Sequence, residues 1–113
     1  AILESPPGRI VFAHPSGLTF LENGRLRTQR LEVDTVQPSR ILSIAADRSG
    51  DLWIARARGG ALRVASDGSV HDVALPPESF ATSVLVDSRD DIWLTAFEGL
   101  YRWSGERFAP VQL

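Results

Sequence analysis

Cysteine is absent from this chain, which rules out disulfide bridges and thiolate metal sites while leaving the redox compartment open. Lysine is absent too. All twelve basic residues are arginine, a bias that reads as a GC-rich bacterial genome more readily than as chemistry. There is no methionine, not even at position 1, and the abrupt opening AILES suggests a piece excised from something longer. No apolar run approaches the roughly 20 residues that span a bilayer, so no direct membrane insertion is expected. No basic leader precedes an apolar run, so no signal peptide is read. Finally, no charge of one sign prevails: 12 basic residues stand against 14 acidic ones, for a net charge of −2, scattered along the chain. Without a basic stripe, nucleic acid is not an expected partner.

What is present is a globular composition, 43% hydrophobic and 23% charged over 113 residues, the size of one ordinary domain. It also repeats itself. SGDLWIARARGGALR at 49–63 is echoed by RDDIWLTAFEGLYR at 89–102. Setting Trp53 over Trp93 pairs Ile44 with Val84, Asp47 with Asp87, Asp51 with Asp91, Leu52 with Ile92 and Gly59 with Gly99, all at an offset of 40. A one-residue slip then brings Arg63 over Arg102. A fainter copy, GRIVFAHPSGLTFLENGRL at 8–26, lies under 90–108 without a gap and puts Gly17 on Gly99. In this copy Val11 replaces the Trp and Ser5 the Asp.

Each copy consists of four- to six-residue segments rich in Ile, Val, Leu, Trp and Phe, separated by Gly, Asp, Ser and Pro, and none sustains a helical period. The middle copy divides into ILSIAA (41–46), DLWIA (51–55), ALRVA (61–65) and VHDVAL (70–75). DRSG (47–50) and SDG (66–68) supply the turn chemistry. Four strands per unit, a period near 40 and one aromatic residue per unit predict an all-β fold of four-stranded antiparallel β-propeller blades. About three blades fit, as one segment 1–113 divided into a degenerate 1–39, then 40–79, then 80–113.

The pattern Ile-x-x-Asp-x-x-Gly-x-Leu-Trp followed by Gly-x-x-x-Gly-Leu-x-Arg resembles the two-component-regulator propeller repeat of bacterial sensor proteins. ILSIAADRSGDLWIARARGGALRV (41–64) matches it closely. SVLVDSRDDIWLTAFEGLYRW (83–103) matches with Asp90 at a usual Gly, and the first copy departs at the Trp and the Asp. The resemblance implies a non-enzymatic sensing or interaction module in the periplasmic or extracellular part of a bacterial two-component or diguanylate cyclase receptor. Such a module binds a small ligand or mediates dimerisation. Streptogramin lyases and sugar lactonases are propellers with related repeats, so an enzyme is the rival reading; a pure assembly scaffold is the third.

The residues themselves weigh toward structure at the repeated positions. Trp53 and Trp93 sit mid-strand among branched apolar residues and are expected in equivalent buried places between blades. Asp47 and Asp87, at the ends of first strands, are expected to bind turn amides, and Gly59 and Gly99 to serve turns. Asp90 takes the turn place of Gly50 rather than pairing with Asp91 in acid–base work. His14 in a loop and His71 in an outer strand have no zinc spacing and no orienting partner, so no metal, cofactor or catalytic residue is assigned.

Variable loops on a repeated scaffold are where specificity resides. AHPS (13–16), RARGG (56–60), AFEG (96–99), VQPSR (36–40) and PPESF (76–80) gather at one end of the propeller axis. There Arg40, Arg56 and Arg58 are candidates for a carboxylate or other anion, Phe80 and Phe97 for apolar contact and His14 for a further contact. The ligand class is a saccharide or an anion. Ala substitution of Arg56 and Arg58 is expected to weaken binding while leaving the melting curve nearly unchanged. Three blades leave two apolar faces open, to be covered by remaining blades of a parent chain or by self-association, with a six-bladed dimer as one geometry.

Overall fold

The computed structural model describes residues 1–14, 17–31, 40–57, 60–73, 75–76 and 79–112. Twelve strands follow one another: β1 (Ile2–Glu4), β2 (Ile10–His14), β3 (Gly17–Glu22), β4 (Arg25–Arg30), β5 (Ile41–Ala46), β6 (Leu52–Arg56), β7 (Ala61–Val64), β8 (Val70–Val73), β9 (Ala81–Val86), β10 (Ile92–Ala96), β11 (Gly99–Trp103) and β12 (Phe108–Pro110). They form three four-stranded sheets in simple meander order, β1 to β4, β5 to β8 and β9 to β12, every neighbour antiparallel. Stacked face to face, they are three blades of a β-propeller.

Hairpin register shows that the three sheets are copies. Trp93 pairs with Leu85 and Arg102. Trp53 pairs with Ala45 and Arg63, and Val11 with Leu3 and Phe20. At the outer hairpin Trp103 opposes Phe108 and Leu21 opposes Leu26, an offset of 82 throughout. Because side chains alternate faces along a strand, keeping register keeps each residue on its face.

Each inter-sheet layer is built from one face of each neighbour. Val11, Leu18 and Phe20 of the first sheet meet Leu52, Ile54, Leu62 and Val64 of the second. On its opposite face the second sheet puts Trp53, Ala55, Ala61 and Val73 against Val84, Ile92, Leu94, Tyr101 and Phe108 of the third. The fourth strand, β4, is exposed along most of its length, as an outer strand bathed in solvent should be. The first strands approach near the axis, where the Ser43 hydroxyl accepts the Val84 amide at 3.1 Å and stitches β5 to β9.

The turn aspartates carry the repeat's hydrogen bonding. Asp47 Oδ1 accepts the amides of Ser49 and Asp51 and the Ser49 hydroxyl at 2.9, 3.1 and 2.6 Å, and its Oδ2 accepts the Trp53 indole N–H at 2.9 Å. Asp87 repeats this with the amides of Arg89 and Asp91 and the indole of Trp93, each at 2.9 Å. Each carboxylate is thus engaged by three or four donors of its own turn and strand. Asp90 stands at φ 65° where Gly50 stands at φ 90°, and its carboxylate accepts the Arg48 amide at 2.9 Å, tying the second turn to the third. The two tryptophans share partners but not surroundings. Trp53 is 1% exposed, whereas Trp93 is only half-buried, because its face meets no further sheet among the described residues. The expectation of equal burial is corrected to that extent.

Candidate functional site

Strand direction decides what shares an end. β6 and β10 run away from the aspartate turns, so Arg56 and Ala96 finish at the opposite end, beside the starts of β5 and β9. There the chain is pinned by equivalent bonds: the Ala57 amide donates to Arg40 O at 2.8 Å and the Phe97 amide to Phe80 O at 3.2 Å. These bonds place Arg40 beside position 57 in one sheet and Phe80 beside Phe97 in the next. The backbone is the same and the side chains differ.

The Phe80 and Phe97 rings meet with centroids 6.1 Å apart and planes inclined by 35°. They are 50% and 82% exposed, so the pair is a small apolar shelf in water rather than core. Arg40 is exposed at the same end. Arg56 is not a loop residue. It closes β6, is 6% exposed, and turns its guanidinium toward Asp72 of the outer strand at 3.5 Å. Burial lowers its pKa and Asp72 counters that, raising it. With a buried side chain its replacement is a structural lesion, so unchanged melting is no longer expected for Arg56. His14 likewise closes β2 instead of lying in a loop. Its Nε2 lies 2.9 Å from the Thr19 hydroxyl, which in turn lies 3.0 Å from that of Thr28. Arg58 and Gly59 fall outside the described residues, as do parts of three expected loop segments, at 15–16, 36–39 and 77–78. Gly99 opens β11 at φ 159°, a backbone angle that residues with side chains rarely adopt, although an added Cβ would meet nothing within 4 Å.

Reading the sequence alone missed what joins Asp51, Arg63 and Trp53. Arg63 donates to Asp51 Oδ2 at 2.8 Å through Nε, with a second nitrogen at 2.7 Å, and its guanidinium carbon lies 4.8 Å over the Trp53 ring. The third sheet repeats the set, with Arg102 to Asp91 at 3.1 Å and 5.5 Å over Trp93. The signal was available, since Arg63 and Arg102 recur opposite each Trp. In the first sheet the roles invert. Arg9 occupies the aspartate's place and stacks 5.0 Å over Phe20, which occupies the arginine's place, while Arg27 stacks at 4.3 Å. These residues line a cleft of about 180 Å³ between the first and second sheets, closed by Gly50, Ser66, Asp67 and Gly68. It lies at the turn end, away from the phenylalanine shelf. Among the described residues, no three His, Asp or Glu side chains converge as metal ligands would.

Comparison with known proteins extends the fold and leaves the family open. No family model matches the chain. The virginiamycin B lyase of Nocardia farcinica is 36% identical over 56 residues, half of this chain and 20% of that protein. The crystal structure of virginiamycin B lyase from Staphylococcus aureus superposes with a TM-score of 0.84 at 16% identity, over 99% of this chain and 40% of that one. The extracellular domain of BT4673 from B. thetaiotaomicron, assigned to a hybrid two-component system, superposes at 0.79 with 18% identity, over 99% of this chain and 16% of that one. The chain thus spans less than half the length of each. A lyase and the extracellular domain of a two-component system share its architecture.

Proposed function

We propose that the chain is part of a non-enzymatic sensing module, an extracytoplasmic propeller segment of a bacterial signalling receptor. Its loop end takes a small saccharide or anionic ligand. The observation that carries this reading is the divergence of Arg40 and Ala57 from Phe80 and Phe97 on identically bonded backbone, with both phenylalanines and Arg40 in water. Exposed aromatic area costs solubility and is retained where it meets a partner. A ring shelf and an exposed guanidinium at the same end of the propeller suit a sugar face and a carboxylate. The likeness to the BT4673 extracellular domain supports the same class and the same side of the membrane.

Titrating the isotope-labelled chain with glucuronate-containing and neutral gluco-oligosaccharides tests this. Amide shifts should appear at Arg40, Phe80 and Phe97, and Arg40→Ala should weaken the acidic ligand by about 1.5–3 kcal/mol, the worth of a charge-assisted hydrogen bond. Neither Arg40→Ala nor Phe97→Ala should move the melting curve, as both side chains are exposed. Shifts confined to the Arg9 and Arg27 cleft would relocate the site and end the loop-end reading.

The local 36% identity to a virginiamycin B lyase favours one other reading, an enzyme. A variant of the S. aureus lyase with a histidine changed to alanine is catalytically inactive and has been solved with quinupristin. In this chain the histidine best placed for such work is His14, oriented by Thr19 at the loop end. Conversion of quinupristin by the chain, followed by liquid chromatography and abolished by His14→Ala, would establish that reading and displace the sensing one.

A further inference from the structure

The set of carboxylate, guanidinium and ring is complete in two sheets and broken in the first. Arg63 binds Asp51 through two nitrogens at 2.7 and 2.8 Å, and Arg102 binds Asp91 at 3.1 Å, each guanidinium lying over its tryptophan. In the first sheet Arg9 stands where the carboxylate should be, and Arg27 comes to the same ring from β4. Their guanidinium carbons lie 5.0 and 4.3 Å from the centre of Phe20. Arg9 gives its Nε to the Ser5 carbonyl at 2.7 Å. Among the described residues, neither arginine has a carboxylate partner. Two like charges are therefore held beside one ring with no anion to offset them.

The cleft of about 180 Å³ opens between these arginines and the second sheet. Its width is fixed by the Gln29 amide, which reaches across and donates to Gly68 O at 2.7 Å. Buried Phe20, Leu52 and Val64 give it an apolar wall, beside which charges interact more strongly than in open water. Asp67 is the one acid on its lining among the described residues. That carboxylate already accepts the Ser69 amide and hydroxyl at 2.8 and 2.6 Å, so it belongs to its own turn rather than to the arginines.

We infer that this cleft binds a small dicarboxylate, one carboxylate to each arginine. The ligand then supplies from outside what Asp51 and Asp91 supply from within. Guanidinium forks match carboxylates in shape as well as charge, which sets such a ligand apart from chloride. The volume equals that of about six water molecules at about 30 Å³ each, which admits a four-carbon diacid and excludes an oligosaccharide. The site shares no residue with the shelf of Phe80 and Phe97 and stands whether or not the loop end binds a sugar.

Titration of the isotope-labelled chain with succinate in low-salt buffer tests this. Amide shifts should centre on Arg9, Arg27, Gly50 and Gly68 and saturate with a Kd below about 1 mM. Acetate and chloride at the same ionic strength should bind at least about 10-fold more weakly, since each satisfies only one guanidinium. Arg27→Gln should weaken succinate by at least about 10-fold. Arg27 is exposed, so the fold and the loop-end amides should be unchanged in that variant. Asp67→Asn keeps an oxygen for the Ser69 donors and removes the opposing charge, so it should tighten succinate by about 2- to 5-fold. The proposal is overturned if no saturable shift appears, if succinate and acetate bind equally, if the shifts centre on Arg40 and Phe97, or if neither substitution changes the affinity.

Discussion

The second and third sheets hold the same three side chains in nearly the same bonds, yet only one set is buried. Trp53 donates to Asp47 and Trp93 to Asp87, both at 2.9 Å. Trp53 also meets Trp103 and Phe108 edge-on at 5.0 and 6.0 Å, whereas Trp93 is only partly buried, with Arg102 5.5 Å over its ring. The hydrogen bonds are local to a hairpin, so a sheet makes them alone. Burial belongs to the pair of sheets. Comparing the two sets therefore separates what the motif contributes from what stacking contributes.

The largest effect should come from the ring itself. Trp53→Ala removes a fully buried side chain and should cost about 3–5 kcal/mol in urea melts. Trp93→Ala should cost less, because its ring is only partly buried. Equal losses would mean that the indole hydrogen bond, not stacking, is what the repeat conserves.

Acid should act on both sets in the same direction. For Asp47, burial alone would raise the pKa, but hydrogen bonds from Ser49 and Trp53 and from the Asp51 and Ser49 amides outweigh it and hold the carboxyl below its ordinary value of 3.8. Asp87 is likewise lowered, first by the Trp93 indole and then by the Asp91 amide, against a smaller contrary effect of burial. Since the folded state favours the charged form, the stabilisation is complete above the unfolded value of 3.8 and is lost as pH falls through the lower folded value. Melting temperatures of the parent and of Asp47→Asn should therefore converge as the pH drops below about 3.8. Asp87→Asn should show the same trend. A parent whose stability is flat across that window would remove the ionised carboxylate from the account.

How much of this was readable in the sequence follows the same division between local and shared. The aspartate spacing, the turn at Asp90, the strand order and the three-fold repetition all depend on residues close in the chain, and each was legible there. The likeness of Val11 to Trp53 also survived the loss of the ring, because Gly17 preserved the hairpin register. Arg56 was misread as a loop residue because β6 runs one residue past its apolar run. Its companion Asp72 lies two strands away, beyond the reach of any spacing argument. The Arg9 and Arg27 cleft was invisible for a related reason, since it forms only where the degenerate first sheet meets the turn at Ser66–Gly68. The half-burial of Trp93 could not be read at all from a motif it shares with Trp53.

The smallest difference concerns the arginines that cap the two rings. Arg63 and Asp51 are 36% and 11% exposed at their side chains, against 52% and 32% for Arg102 and Asp91. Removing Arg63 leaves a nearly buried carboxylate that still accepts the Ser66 amide at 3.0 Å but has lost its cation. That should cost roughly 1–2 kcal/mol, the penalty for a buried polar group stripped of its partner, together with the stacking over Trp53. Removing Arg102 leaves a carboxylate that water can reach, so the cost should fall within about 0–1 kcal/mol, the range of an exposed ion pair. Adding 0.5 M salt should then narrow the gap between parent and Arg102→Ala while leaving that for Arg63→Ala almost unchanged, because screening acts on exposed charges and little on buried ones. If the salt response were the same at both positions, the second layer would be wetter than its geometry shows. The contrast between the sheets would then rest on the tryptophans alone.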